Sequence, residues 1–383
     1  MAITKNSAVS SALLSRRALN RATLERQLLL RRTAMPAKDA VAHLVGLQAQ
    51  NTRPPYYQLA ARLDGFAPAE LAALMESREV ARIVTLRSTI HLHTADDVLS
   101  LRPLVQPARD RELRIFRAGL TGVDLDRLRS LAAALVEERP RTPGEIREAL
   151  HTEWPEADPQ ALGIAARCLL PLVQVTPRGV WGRSGRVVLT TAEHWLGVPA
   201  RPAPAPDTAV LRYLAAFGPA SVKDMQAWAG LTRLREVFER LRPRLVTFRD
   251  ENGAELFDLP DAPRPAEDTP APPRFLPEFD NVLLGHADRG RVIPPRFHGR
   301  MGRGNQTYGT VLVDGFLAAI WRQDGAGRPG ARPEVLTVQP LGGLGPTECD
   351  AVTEEARRML SVMAEPGAAD ACDIRFAAFV DFG

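Results

Sequence analysis

Apolar residues recur at helical spacing in the middle of the chain, and the same order of elements is then written a second time. From Asp124 to Val136, Leu125, Leu128, Leu131 and Leu135 keep the period that lines one helix face. Arg139-Pro140 breaks that pattern. Thr142-Pro143-Gly144-Glu145 then forms a capping box with proline at the first helical position, predicting a second helix to about Leu150. A third helix is expected from about Pro159 to Leu170. Leu172–Val175, Gly179–Gly182 and Arg186–Leu189 read as short strands around glycine-rich turns.

After a Pro/Ala spacer at 199–206 the series repeats. Val210, Leu211 and Leu214 mark a helix that Gly218-Pro219 ends, and Ser221-Val222-Lys223-Asp224 caps the next one. Leu234, Val237, Phe238 and Leu241 mark a third, followed by strands at Leu245–Phe248 and Glu255–Phe257 around the turn Glu251-Asn252-Gly253. A looser copy precedes both. Val41, Leu44 and Val45 suggest one helix, Leu71, Leu74 and Met75 another, and strands follow at Ile83–Leu86 and Thr89–Leu92. Three helices and a hairpin is the winged-helix order, a fold that usually places one helix in a DNA groove.

Residues 261–274 are proline-rich and predict a linker. Beyond it, Thr310–Val313, the turn Asp314-Gly315 and Phe316–Trp321 read as a hairpin. A strand at Val335–Val338, a helix from about Thr347 to Met363 and a last strand near Ile374–Val380 complete the pattern. The expected fold class is α+β, with three tandem winged-helix motifs and a C-terminal β-rich α+β unit. The expected domains are 1–120, a basic arm and first winged helix; 121–200, the second; 207–260, the third; and 275–383, the C-terminal unit.

Composition narrows the class. A chain of 383 residues with 45% hydrophobic content suits two to three packed domains. No apolar run approaches the roughly 20 residues of a membrane span. Cys168, Cys349 and Cys372 are too few and too far apart for a disulfide framework or a zinc knuckle, which points to a reducing compartment. Net charge is only +4, yet all but three of the 49 basic residues (Lys5, Lys38 and Lys223) are arginines. Residues 1–35 carry Lys5, Arg16, Arg17, Arg21, Arg26, Arg31 and Arg32 against the single acid Glu25. Such a segment can follow a phosphate backbone, as can a transit peptide's composition direct import. Leu24, Leu28 and Leu29 continue its stripe into the fold, which favours a mature arm. Arg296, Arg300 and Arg303, in a glycine-rich segment, are further candidates for phosphate contact.

The candidate chemistry lies in Gly46-Leu47-Gln48-Ala49-Gln50-Asn51, between the Val41–Leu47 helix and Pro54-Pro55. In a helix Gln48 and Gln50 would sit about 200° apart; in an extended segment they share a face. Two converging amides offer carbonyl acceptors and N–H donors, enough to hold a water. They cannot take up a proton near neutral pH, so such a site suits a reaction with an easy leaving group. His91 and His93 alternate on an expected strand and so face one side. With Asn51 and His286 they are candidates for lining the same cleft, or else ordinary core histidines. No histidine or cysteine spacing matches a metal-ligand pattern, and P-loop and Ser-His-Asp arrangements are absent, so no metal or cofactor is expected.

Four segments together resemble one family. Gly46–Gln50, Leu86-Arg87-Ser88-Thr89-Ile90-His91-Leu92, Leu276-Pro277-Glu278-Phe279-Asp280-Asn281 through Arg289, and Val313-Asp314-Gly315-Phe316 are similar, in order, to the AlkZ-type winged-helix DNA glycosylases. That family joins three tandem winged helices to a C-terminal β-rich part. The resemblance implies hydrolysis of the N-glycosidic bond of alkylated purines, especially N7-alkylguanine, including bulky adducts and interstrand crosslinks. It implies base excision repair and self-resistance to genotoxic natural products in a bacterium. The family's motif is Gln-apolar-Gln in the AlkZ branch and Gln-apolar-Asp in the YcaQ branch, so Gln48 and Gln50 become the implied catalytic pair and place the chain with the former. The implied partner is double-stranded DNA containing alkylated purines, with no membrane and no obligate protein partner. The implied location is the cytoplasm, on the nucleoid. The rival reading is a non-catalytic winged-helix transcription regulator, which would bind an intact operator and release no base.

Overall fold

The computed structural model describes residues 12–199, 202, 205–303, 306–324, 335–363 and 373–379. The doubled pattern appears as two three-helix units. Leu125–Glu138, Pro143–Glu153 and Pro159–Leu169 are followed by strands Leu172–Gln174 and Leu189–Thr191. Pro206–Phe217, Val222–Ala229 and Arg235–Leu241 are followed by strands Val246–Asp250 and Glu255–Asp258. Both predicted helix starts form true capping boxes, Thr142 with Glu145 and Ser221 with Asp224. The looser copy comprises Ala37–His43, Pro54–Arg62 and Pro68–Glu76, then strands Val80–Val84 and Ile90–Thr94.

Several expected elements differ. Gly179–Gly182 is a turn and not a strand, because Gly179 and Gly182 both take positive φ, which breaks a ladder. The helix expected through Leu47 ends at His43, since Val45 and Gly46 turn left-handed at φ 57 and 92 and redirect the chain into the short strand Leu47–Gln48. A side chain at Gly46 would meet the His93 ring at 2.2 Å, so this turn requires glycine. The paired strands near residue 85 sit a few residues outward of expectation, around a turn in which Arg87 and Ser88 both have positive φ.

The hairpins of the first two units are joined. Strands Leu47–Gln48, Ile90–Thr94, Val80–Val84, Leu172–Gln174 and Leu189–Thr191 make one five-stranded antiparallel sheet in that spatial order. The third unit's hairpin is extended by Ala12–Leu14, which pairs parallel to Phe248–Asp250. The basic N-terminal segment is therefore built into the fold from Ala12 onward and is no free arm there; Lys5 lies outside the described residues. The helix Arg16–Arg26 buries Arg21 and Arg26. Arg26 grips buried Asp258 with two bonds of 2.6 and 2.9 Å, while Arg21 donates to Thr269 and Asp314 carbonyls. The proline-rich linker lies along this helix, its Pro263 and Glu267 carbonyls accepting from Arg26 and Arg17.

The C-terminal unit is a five-stranded sheet ordered Asp373–Phe376, Val335–Pro340, Phe316–Asp324, Gly309–Val313 and Arg274–Leu276. Its hairpin turns at Asp314-Gly315, both with positive φ, as the sequence predicts; Val380, at the end of the expected last strand, lies outside the described residues. The helix Pro346–Met363 packs Val352, Ala356 and Met359 into one core with Leu59 and Ala60 of the first unit. One consequence bears on the site. The edge strand Arg274–Leu276 carries the chain straight into Glu278–Asn281, which reaches back to the Gln motif.

Candidate active site

The motif starts as an edge strand, Leu47–Gln48, and bends at Gln50. Leu47 and Gln48 pair with Leu92 and His91, and the Ala49 N–H donates to the Ile90 carbonyl at 2.8 Å. The motif thus has the expected extended backbone at Gln48, which does not continue as strand to Gln50. Three side chains hold its backbone: Gln58 donates to the Gln48 carbonyl (3.0 Å), buried Arg82 to the Ala49 carbonyl (2.6 Å) and Asn281 to the Gly46 carbonyl (2.7 Å).

Gln48 is buried and Gln50 exposed, so the pair spans from the sheet to the solvent face. Each side-chain carbonyl already has a donor. Arg87 Nη2 donates to Gln48 Oε1 at 2.7 Å, and the Ile90 N–H donates to Gln50 Oε1 at 3.3 Å. These bonds fix the amide orientation; the two NH₂ ends remain as donors, and each carbonyl oxygen keeps a second lone pair. Arg87 reaches Gln48 because its own backbone is left-handed (φ 53); its other amino group donates to the Trp228 carbonyl at 2.6 Å, tying the motif to the third unit. Burial first, and Arg289 second, push the Arg87 guanidinium down to about 10, which still leaves it charged at neutral pH.

His91 and His93 do face one side. Their rings stack with centroids 5.6 Å apart. His91 Nδ1 donates to the Thr89 carbonyl (3.1 Å), which leaves Nε2 as an acceptor 3.3 Å from Arg87 Nη2. Burial, then the Arg87 and His93 charges, hold His91 well below the ordinary histidine range, so it is neutral beside the motif. His93 is one layer deeper, hydrogen-bonded to Thr85 Oγ1 at 2.8 Å, and burial lowers it to about 4. His286 is elsewhere. It packs against Tyr213 and Phe217 in the third unit's core and bonds the Phe217 carbonyl at 2.9 Å, the arrangement of a core histidine. Asn51 is at the mouth, its Nδ2 donating to Glu278 Oε1 at 2.8 Å.

The candidate phosphate contacts are spread over two regions. Arg16 is exposed and lines a cavity of about 240 Å³ with Lys223, Asp250 and Glu251. Arg17 is committed within the chain, donating to both oxygens of Asp314 at 2.6 and 2.9 Å. Arg296 is exposed with its guanidinium over Phe297, and Arg300 lies over Phe379. Arg303 sits in a small hairpin, Gly302–Arg303 against Gln306–Thr307; its side chain lies outside the described residues. Among the described residues no group of three or more His, Cys, Asp or Glu is placed to hold a metal ion, and no helix is long and apolar enough to cross a membrane.

Sequence reasoning assigned no role to Arg87, Arg82, Asn281 or Glu278. Arg87, Asn281 and Glu278 sat inside the segments that carry the family resemblance, but their contacts are tertiary and no local spacing announces them.

Comparison with known proteins identifies the family. The family model of the DNA glycosylase AlkZ-like proteins matches residues 41–362. The interstrand DNA cross-link repair glycosylase of Streptomyces sahachiroi is 27% identical over 331 residues, covering 78% of this chain and 85% of that protein. The solved structure of the Streptomyces sahachiroi DNA glycosylase AlkZ superposes with a TM-score of 0.77 at 21% identity, covering 95% of this chain and all of that one, so the fold is shared. With a match across most of its length, the chain belongs to the DNA glycosylase AlkZ-like family and is a DNA glycosylase.

Proposed function

We propose that this glycosylase hydrolyses the N-glycosidic bond of alkylated purines, N7-alkylguanine foremost, in double-stranded DNA. The observation that carries the reading is a motif of two neutral amides, one of them fixed by a half-buried guanidinium, with no carboxylate of its own. An N7-alkylated guanine is cationic, so cleavage expels a neutral base and needs no general acid. The transition state develops oxocarbenium character at the sugar, as in other glycoside cleavages. What the protein must supply is a placed water and fixed dipoles, and Gln48 and Gln50 are built for placement. The Streptomyces sahachiroi relative is named for interstrand cross-link repair, which supports bulky and crosslinked adducts as substrates here. Such an activity belongs where the chromosome is, in the bacterial cytoplasm, and suits protection against a DNA-alkylating natural product.

The enzyme is monofunctional in this reading. Strand nicking by Schiff-base chemistry needs an amine. Lys38 is exposed and bonded to Glu79 at 2.9 Å, and Lys223 is on a third-unit helix, so neither belongs to the motif. The test is a paired assay with an N7-methylguanine duplex and a duplex crosslinked through guanine N7. Release from both, with an intact abasic strand and no borohydride-trapped adduct, is expected. Release from the monoadduct alone would remove crosslinks from the substrate range.

Duplex affinity rests on Arg16, Arg296, Arg300 and Arg303 in this account. Binding should therefore fall steeply with salt, by about 0.9 in log–log slope for each phosphate neutralised. Replacing Arg300 and Arg303 together with alanine should lower the slope by about two. An unchanged slope would move the DNA surface elsewhere.

A further inference from the structure

The catalytic motif is free of carboxylates, but its surroundings are not. Glu278 is half-buried and accepts from Asn51, the residue next to Gln50. It is held there from both directions. Upstream, Leu276 ends an edge strand whose carbonyl accepts from Trp321 Nε1 at 2.9 Å. Downstream, Asp280 is locked by Arg62 with bonds of 2.7 and 2.8 Å, and Asn281 binds the carbonyl of Gly46. Between them Phe279 takes φ 61, a left-handed conformation that a bulky side chain adopts only under constraint. The segment spends backbone strain to put Glu278 against the motif's end.

The orientation of the two glutamines supplies the chemical reason. Both side-chain carbonyls already accept from the protein, Gln48 from a cationic guanidinium and Gln50 from the Ile90 N–H. The motif therefore presents N–H donors and one further lone pair on each carbonyl, which can hold a water but, on a neutral amide, not take its proton. Arg87 and exposed Arg289 add positive charge on the same side, which opposes a developing cation.

We propose that Glu278 is the proton acceptor of the site, held in position by Asn51. This rests on the glycosidic reading above. Water oxygen bonds to C1′ as the C1′–N9 bond breaks, its electron pair leaving with the base, which departs neutral because it began as a cation. The proton lost by the water passes to the Glu278 carboxylate and then to solvent, which reaches this exposed contact. The same negative charge faces the oxocarbenium character developing on the sugar.

The test is single-turnover release of N7-methylguanine from duplex DNA, after subtraction of spontaneous loss, across acid to neutral pH. Glu278→Gln keeps an acceptor for Asn51 and removes only the charge. It should slow release about 10²-fold or more, and a fall in enzymic rate toward acid pH, expected of the native enzyme under this proposal, should be absent from the variant. Duplex affinity should be unchanged, while affinity for a duplex carrying a cationic azasugar should drop relative to one with a neutral tetrahydrofuran abasic analogue. Asn51→Ala should lower the rate but retain the acid limb. If Gln48→Ala loses activity while Glu278→Gln keeps the native rate and pH profile, the proposal fails and the glycosylase reading stands. If the native enzyme releases no base, both fail together.

Discussion

Replacing either motif glutamine with alanine should slow base release from N7-methylguanine DNA by about 10²–10³-fold, the usual loss when one placed hydrogen bond to developing charge is removed. Duplex affinity should hardly move, because the basic residues assigned to phosphate lie on other elements. The structure separates the two positions. Gln48 is buried and receives a 2.7 Å bond from Arg87, so Gln48→Ala also leaves a partly buried guanidinium short of one acceptor. Gln50 is exposed and, among the described residues, held by one longer 3.3 Å bond, so Gln50→Ala should be cleaner in stability and equally deep in rate. Gln50→Asp should keep activity on cationic adducts. Alanine variants with full activity would reduce the motif to a strand end; variants that lose binding in step with activity would make the pair a DNA contact.

The second large effect concerns the joint that brings Glu278–Asn281 to the motif. Arg62 and Asp280 have fully buried side chains and share two hydrogen bonds. Asp280 Oδ1 also accepts from the Val282 N–H, capping the short helix Asn281–Leu284. Arg62→Ala strands a buried carboxylate, which should cost about 3–5 kcal/mol in urea unfolding. Converting both partners to apolar residues of similar size should recover most of that loss, since desolvation offsets much of a buried pair's attraction. A loss below about 1 kcal/mol for Arg62→Ala would show that the joint is held by other contacts.

The arginines explain where sequence reasoning went astray. A chain with almost no lysine reads as a phosphate binder, yet Arg21, Arg26, Arg62, Arg82 and Arg109 are buried. The guanidinium fork matches carbonyls and carboxylates as well as phosphates, and here it staples units together. Composition cannot tell the two uses apart. Local chemistry was more legible. The two capping boxes, the Asp314-Gly315 turn and the 18-residue helix Pro346–Met363 all carry their signals within a few residues. Helix Pro54–Arg62 was missed because it is buried on every side, so it has no polar face and no stripe to read. The Gln pair was visible in the sequence because its spacing suits an extended backbone, which the strand Leu47–Gln48 provides for its first member. Its supports were not, because Arg87 acts through a left-handed turn without glycine or asparagine, and Glu278 arrives from 227 residues away.

The central claim is that this chain breaks a glycosidic bond at an alkylated purine through the Gln48–Gln50 site. The most direct measurement is mass-spectrometric detection of free N7-methylguanine after one turnover, with native enzyme and the Gln48→Ala, Gln50→Ala double variant compared on one duplex. The account predicts that the native enzyme releases the intact base and leaves an unbroken abasic strand, while the double variant binds equally well and releases almost none. Native enzyme that binds the duplex and releases no base, or a double variant that releases it at the native rate, would contradict it.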